Sequence, residues 1–326
     1  MNSLRWGLLS TAHINRSIIL PLRTSARNKL AAVASRSQAT AETYAKEWKI
    51  PQAYGSYEAL LADPSIDVIY NPLPNHLHAE WTIKAAQAGK HVLCEKPLAL
   101  SVEEVDAMAA AAQKAGVIVA EAFMYRHHPQ PQKAKELVDS GAIGRLQVIR
   151  GAFTFVLDRP NNPRWDPAMG GGCLWDVGCY PLNYARFITG AEPVEVFGWQ
   201  TTGPTGIDDT FVGQLRFPGE VFAQFDASFR SPYRTFMELV GGEGSLRVPL
   251  PFQGDKDSVI QLFQGEKSEI FPTPGADRYL LEIEDMADAV LQGKPPRVSL
   301  ADSRHNVAAI VALLQSARAG RPIRLA

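Results

Sequence analysis

A lysine held between a glutamate and a proline, Glu95-Lys96-Pro97, follows the short apolar run His91-Val92-Leu93-Cys94. In an open α/β sheet, ligands lie beyond the carboxyl ends of the strands. Lys96 would therefore face the nicotinamide end of a bound dinucleotide. Pro97 fixes its own φ and keeps Lys96 out of helical geometry. The first strand-to-helix turn reads Ser10-Thr11-Ala12-His13-Ile14-Asn15. A dinucleotide fold keeps its Gly-rich fingerprint at that turn, yet none of these six residues is Gly. Small side chains at Ser10 and Ala12 still let backbone N–H groups at the helix start approach a pyrophosphate. The alternative is an ordinary turn of small residues. About twenty residues later, NAD-binding folds place an acidic residue on the ribose. Here the chain reads Ser35-Arg36-Ser37. A carboxylate would repel a 2′-phosphate, whereas a guanidinium and a hydroxyl bind one through charge-assisted hydrogen bonds. The pair points to NADP rather than NAD, unless Arg36 is simply a solvated surface charge.

Other reactive side chains suggest less. His76 and His78 form an H-x-H pair, but no carboxylate or thiol has matching local spacing, so no metal is expected. His127-His128 precedes Pro129 and reads as a turn, with a substrate contact by His128 as the alternative. Cys94, Cys173 and Cys179 make an odd count without a CxxC pair, which argues against a disulfide framework and for a reducing compartment, the cytoplasm. Cys94 reads as inert strand packing. Lys plus Arg number 33 and Asp plus Glu 34, a balance that gives no general pull toward nucleic acid or an anionic membrane. No apolar run reaches the roughly 18 residues of a membrane span. Met1-Asn2-Ser3-Leu4-Arg5 lacks the basic region, apolar run and cleavage site of a secretory signal.

At 326 residues the chain is long enough for two domains, at about 150 residues each. Through residue 120, short apolar runs (4–9, 29–34, 66–70, 91–94 and 117–120) alternate with helical patterns (39–48, 78–88 and 101–114). Gly89 sits one step past a helix end, and Ser101-Val102-Glu103-Glu104 is a capping box. Single helices between strands imply right-handed crossovers and a doubly wound parallel sheet. After about residue 144, strand patterns follow one another at 146–157, 194–202, 210–217, 220–229, 235–240, 245–248 and 259–263, separated by Gly-rich turns. Val221, Ala223, Phe225, Ala227 and Phe229 alternate along one strand, giving the sheet one strongly apolar face. Two helices close the chain, over 277–292 and 299–319. The expectation is an N-terminal doubly wound domain over residues 1–122. An α+β domain with a large, mainly antiparallel open sheet follows over 123–326. Helices can cover one face of that sheet, and a partner subunit the other, which predicts a homodimer or a dimer of dimers.

Residues 71–78 (NPLPNHLH) and 89–99 (GKHVLCEKPLA) resemble the Gfo/Idh/MocA oxidoreductase family, as do residues 6–14 (WGLLSTAHI), 121–129 (EAFMYRHHP) and 170–180 (GGGCLWDVGCY). More narrowly they resemble its branch of glucose–fructose oxidoreductase, NADP-dependent aldose dehydrogenase and dimeric dihydrodiol dehydrogenase. The resemblance covers nearly the whole chain. It implies an N-terminal Rossmann domain and NAD(P)-linked redox chemistry on sugars or related alcohols. It places the family's catalytic lysine on Lys96 and its Asp-x-x-x-His/Tyr element on Asp176 and Tyr180. The chain departs from the fingerprint at Ser10, Ala12 and Asn15, where the family pattern has glycines.

On this resemblance the cofactor would lie against Ser10, Thr11, Ala12, His13, Ile14, Ser35, Arg36, Pro72, Leu73, Asn75, His78, Glu95, Lys96, Pro97, Arg164 and Trp165. The substrate would meet Phe123, Arg126, Arg159, Asn183 and Tyr279. Phe123 and Trp165 would stack on a sugar face, and Arg164 also lies near the cleft. Several of these residues would instead pack an interface, and Glu95 would be a structural partner if the segment stays extended. With 175–187 as a helix, Asp176 and Tyr180 share a face. An ammonium beside Tyr180 favours phenolate, which takes the hydroxyl proton as hydride leaves the same carbon. Lys96 stabilises the developing oxyanion, and Asp176 orients substrate hydroxyls or the lysine. Three other readings stay open: an aldose–aldose oxidoreductase that keeps its NADP, a trans-dihydrodiol dehydrogenase, and a non-catalytic NADP-binding sensor.

Overall fold

The structure, a computed structural model, describes residues 3–254 and 256–325. Met1 and Asn2, where the terminus was read for a signal, lie outside the described residues. The chain forms two compact units. One takes Met1–His127 together with Asp277–Arg304, and the other His128–Ala276 with His305–Ala326.

In the first unit the elements run β1 (Leu4–Leu9), α1 (Asn15–Thr24), β2 (Asn28–Ala34), α2 (Gln38–Glu47), β3 (Gln52–Tyr54), α3 (Tyr57–Leu61), β4 (Val68–Asn71), α4 (His78–Gln87), β5 (His91–Glu95), α5 (Val102–Ala115) and β6 (Val119–Ala122). Among the described residues the six strands form a parallel sheet in the order β3-β2-β1-β4-β5-β6. That is the Rossmann order, with its switch point between β1 and β4. Serines start three of the helices that follow strands, α2, α3 and α5. Ser37, Ser56 and Ser101 each accept the N–H three residues on. The capping box at Ser101 is a variant, because Glu104 reaches back to the N–H of Leu100. Gly89 takes φ 75° just past α4, where only glycine is free of a Cβ clash. Trp6, Leu8, Val33, Val68, Tyr70 and Leu93 fill the core, joined by Ile283 and Met286 of a late helix.

The second unit contains α6 (Pro129–Asp139), β7 (Leu146–Thr154), α7 (Cys179–Thr189), β8 (Glu195–Thr202), β9 (Asp208–Phe217), β10 (Val221–Ser228), β11 (Arg234–Gly241), β12 (Ser245–Pro249), β13 (Ser258–Gln264) and β14 (Lys267–Thr273). Helix α8 (Arg278–Gln292) belongs to the first unit. Helix α9 (Leu300–Ala319) and β15 (Ile323–Arg324) end the chain. The sheet has nine strands among the described residues, in the order β14-β13-β12-β11-β7-β10-β9-β8-β15, and only β7 and β10 run parallel. Ala223, Phe225 and Ala227 are buried while Phe222 and Gln224 are exposed, the alternation the pattern of β10 predicts.

Several elements depart from the sequence reading, which gave none at β3, α3, α6, β14 or β15. His128 and Pro129 do not make a simple turn: His128 caps α6 and Pro129 opens it, where a missing N–H costs nothing. β14 has mostly exposed residues and ends in Pro272-Thr273, so an edge strand hides behind a polar sequence. The helix expected over 175–187 begins as a π-turn, Leu174–Gly178, and becomes α-helical only at Cys179. A Cβ at Gly178 would lie 2.8 Å from Leu174 Cδ1 and 3.2 Å from Ala227 Cβ, so glycine lets this wide turn rest on β10.

Candidate active site

In the first unit the residues gather past the carboxyl ends of β1, β4 and β5. Ser10 has φ 81°, the left-handed conformation a first fingerprint glycine would take. Its Oγ accepts the N–H of Ala12 (3.3 Å), its N–H donates to Ala34 O (2.9 Å), and Asn15 Nδ2 donates to its carbonyl (2.9 Å). The turn thus follows a glycine path on side-chain support. It delivers the chain to the N-terminal end of α1, the natural seat of a pyrophosphate, where the N–H groups of Asn15, Arg16 and Ser17 already donate to the carbonyls of Ala12, His13 and Ile14 and the turn before them must supply the donors. Ser35 is half-buried and Arg36 exposed at the end of β2. These residues fit a phosphorylated dinucleotide: backbone donors at the turn, and a guanidinium with a hydroxyl where a ribose phosphate would fall.

Lys96 stands directly after β5, and the Lys96–Pro97 peptide is cis. Its neighbours are fixed from below. The Tyr70 hydroxyl donates to Glu95 Oε1 (2.5 Å), and Glu95 Oε2 accepts the N–H of Lys96 (3.3 Å). Past the proline, Leu98 N–H donates to Glu121 Oε1 (2.8 Å). His78 is fully buried, with Nδ1 2.8 Å from Pro97 O and Nε2 2.7 Å from Leu73 O. Burial pushes His78 down to about 4, against the pull of the two carbonyls. At neutral pH it therefore carries one ring proton and donates it to one of them. Asn71 Nδ2 donates to His78 O and Thr82 Oγ1, and its Oδ1 accepts the N–H of Leu73. A buried polar clamp ties the 72–73 loop to the segment bearing Lys96. His78, expected at the cofactor, turns both ring nitrogens to backbone carbonyls.

Two residues expected at the substrate are buried in this unit. Phe123 is fully buried, edge-to-face with Tyr125, and has no exposed ring face for a sugar. Arg126 is buried and its Nη1 donates to Asp302 Oδ2 (3.0 Å). Tyr279 is half-buried beneath the Arg278 guanidinium, at the start of α8. Burial and the nearby Glu95 raise its phenol above the usual value.

In the second unit Asp176 lies in the π-turn and Tyr180 in α7. Arg164 Nε donates to Asp176 Oδ2 at 2.6 Å, a pairing that the sequence reading did not foresee for either residue. Tyr180 is 5% exposed and packs against Phe153 and Phe252, ring centroids 5.3 and 5.2 Å away. The head of the π-turn is anchored by Asp208, whose Oδ2 accepts Leu174 N–H (2.7 Å) and the Cys173 thiol (3.3 Å). Burial pushes Asp208 up to about 6 despite these donors. A Cβ at Gly172, where φ is 125°, would lie 2.2 Å from Asp208 Oδ1, so the Gly-rich approach to the π-turn is a steric requirement. Trp165 is half-buried on Phe229 and Arg159 is exposed. Asn183, expected at the substrate, is fully buried with Nδ2 3.5 Å from Asn306 Oδ1.

Comparison with known proteins shows the family of the chain. Residues 4–123 match the oxidoreductase family model with an NAD-binding Rossmann fold, and residues 132–247 match the GFO/IDH/MocA C-terminal domain. The chain belongs to the GFO/IDH/MocA oxidoreductase family. It is 38% identical to a D-xylose 1-dehydrogenase (NADP(+)) of Haloferax volcanii over 98% of this chain and 99% of that one. An aldose–aldose oxidoreductase of Caulobacter crescentus, solved with glycerol, superposes with TM-score 0.91 at 28% identity over 99% and 100% of the two chains. A 3-ketoreductase of Actinomadura kijaniata, solved with NADP and TDP-benzene, superposes with TM-score 0.92 at 29% identity over 97% and 98%. As a GFO/IDH/MocA member the chain is an oxidoreductase. Among the described residues no helix is long and apolar enough to cross a membrane.

Proposed function

We propose that this chain is an NADP-dependent dehydrogenase of aldoses or sugar-like alcohols, with Lys96, Asp176 and Tyr180 at its reaction centre. The observation that carries this reading is the mounting of Lys96. It stands beyond a central parallel strand, with buried hydrogen bonds fixing the backbone on both sides of it. NADP, when bound, supplies the hydride acceptor, and Arg36 with Ser35 favours it over NAD. Its turn is Ser10–Asn15, and Pro72, Leu73, Asn75, Glu95, Pro97, Arg164 and Trp165 belong to the same proposal. Tyr180, as phenolate, takes the substrate hydroxyl proton. The C–H pair leaves as hydride, and the C–O bond becomes a carbonyl. Lys96 donates a hydrogen bond to that oxygen and stabilises its negative charge. Asp176, held by Arg164, orients the remaining hydroxyls. Arg159 and Tyr279 complete the substrate side of the proposal.

The test is a panel of aldoses and diols with NADP and NAD, followed by absorbance of the reduced cofactor. Lys96→Met and Tyr180→Phe are expected to lose most turnover, at least about a hundredfold, while still binding NADP. Near-normal rates in both would overturn the assignment. Turnover of a sugar pair without added cofactor would favour an aldose–aldose oxidoreductase, the activity named for the Caulobacter relative.

The outer face of the second unit's sheet supports a homodimer or dimer of dimers. Trp199, Val212, Phe222, Phe236 and Ile270 are all exposed there, interleaved with Arg150, Glu238 and Arg247. An apolar patch with a polar weave suits a protein partner. Cys94, Cys173 and Cys179 are buried thiols outside any disulfide, which suits a reducing compartment such as the cytoplasm.

A further inference from the structure

Asp208 opens β9 in the second unit, and a bulge decides where it points. Between β8 and β9, Thr201 faces Thr210 and Thr202 faces Asp208, so Asp209 is an extra residue on β9. Successive strand residues ordinarily point to opposite faces. Here Asp208 and Asp209 are both buried, 4% and 0% exposed, as a bulge allows by re-aiming a side chain. The two carboxylates then take different partners. Asp209 Oδ2 lies 2.9 Å from Arg230 Nε, an ion pair. Asp208 turns to the π-turn, where its Oδ2 accepts the Leu174 N–H at 2.7 Å. Gly172 passes close over its Oδ1, where a Cβ would not fit.

The first N–H groups of a helix need acceptors from outside it. Cys173 stands at the N-cap position of the π-turn in helical geometry and makes no side-chain capping bond. Asp208 supplies the acceptor instead, from a strand 34 residues along the chain. A negative charge also suits the positive end of a helix. One turn in, Asp176 N–H donates to Gly172 O (3.1 Å), and its carboxylate accepts from Arg164. At the far end Gly178 rests on β10, and Tyr180 follows in α7.

We propose that Asp208 is a positioning residue of the reaction centre: its carboxylate caps the π-turn from β9 and so fixes the direction of Asp176 and the start of the helix that carries Tyr180. It acts through the backbone N–H of Leu174, two residues before Asp176. A π-turn holds one more residue than an α-turn. Without the cap the turn can tighten, and because each α-helical residue turns the chain by about 100°, Asp176 is re-aimed relative to Tyr180. The bulge gives this role to Asp208 and leaves Asp209, its equally buried neighbour, to Arg230.

The proposal rests on the reading of Asp176 and Tyr180 given above, and the test separates the two. Asp208→Ala, Asp208→Asn and Asp209→Asn are compared with wild type as holoenzymes, by kcat and KM on the aldose turned over fastest, NADP affinity and melting temperature. Asp208→Ala should lower kcat at least about tenfold, with NADP affinity within about twofold. Asp208→Asn keeps an oxygen acceptor at the same place and should hold kcat within about threefold of wild type. Asp209→Asn should lower the melting temperature and leave kcat within about twofold. Unchanged kcat in Asp208→Ala, an Asn variant no better than Ala, or an equal loss in Asp209→Asn overturns the positioning role. If Asp208→Ala does not fold, Asp208→Thr replaces it. Threonine suits a strand, and its hydroxyl ends one atom short of the Leu174 N–H. Wild-type kcat in that variant overturns the proposal as well. A crystal structure of the Ala or Thr variant is expected to show the Leu174–Gly178 turn tightened and the Arg164–Asp176 pair broken, and an unaltered turn overturns the cap. If Tyr180→Phe keeps near-normal turnover, the reaction reading fails, and the crystal structure alone decides whether Asp208 sets the turn.

Discussion

Ser10 shows how one residue can stand in for another by borrowing support. A serine at φ 81° pays a steric cost that glycine would not, about 1–2 kcal/mol. Its Oγ and its carbonyl each receive a hydrogen bond that keeps the turn in place. Ser10→Gly removes the strain, loses one of those bonds and loosens the unfolded chain, so its stability should stay within about 1 kcal/mol of wild type. Ser10→Val puts a β-branched side chain at the same φ and should cost about 2 kcal/mol or more, with weaker NADP binding. Urea denaturation and a fluorescence titration of NADP check both, and equal behaviour of the two variants would count against a left-handed Ser10. A search for the glycine pattern misses this turn because the backbone conformation, rather than the residue type, is what recurs.

At the scale of elements, the segment between β4 and β5 and the loop after β5 act as one clamped piece. His78 is central to it, and its neutral form has a consequence in acid. Its folded value lies near 4 and its unfolded value near 6.5, so the unfolded chain takes up a proton first as pH falls. Stability should drop between about pH 6.5 and 4, by up to roughly 3 kcal/mol from this group. His127, pushed down to about 3 by burial, contributes in the same direction. His78→Gln keeps an amide donor for a carbonyl and cannot titrate, so its melting temperature should fall less over that range. A parallel acid drop in both proteins would rule His78 out as the cause. The alternating strands and helices of the first unit were legible because Ser37, Ser56, Ser101 and Gly89 punctuate them locally. The strand β10 was legible from its period of two. The clamp was not, because a buried His bonded to backbone carbonyls looks in sequence like any other H-x-H. The π-turn at Asp176 was hidden for a related reason: its extra residue per turn is set by contact with β10, which a run of apolar residues does not announce. Arg164 and Asp176 are twelve residues apart in different elements, and no local spacing signals their pairing.

For the molecule taken entire, the outer face of the large sheet is the proposed assembly surface. Phe222 is 48% and Trp199 54% exposed, and covering such side chains is favourable by roughly 1.5–3 kcal/mol each when burial is complete. Phe222→Glu combined with Trp199→Glu should convert an oligomer into a monomer, read by light scattering at micromolar concentration. The double variant should still unfold cooperatively, since neither side chain belongs to the inner core. A wild-type protein already monomeric in that measurement would remove the proposed interface.

The first unit closes its core with Ile283, Met286 and Ala287, residues separated from the other core members by the His128–Ala276 stretch of the second unit. On the ribosome, the six parallel strands emerge long before the helix that seals them. The nascent chain must carry a raw apolar surface while some 150 further residues are made, at about 5–20 residues per second. A fragment ending at His127 would therefore be a sheet without its lid, prone to aggregate. Expression of this protein should depend more on chaperone supply during elongation than its modest length suggests.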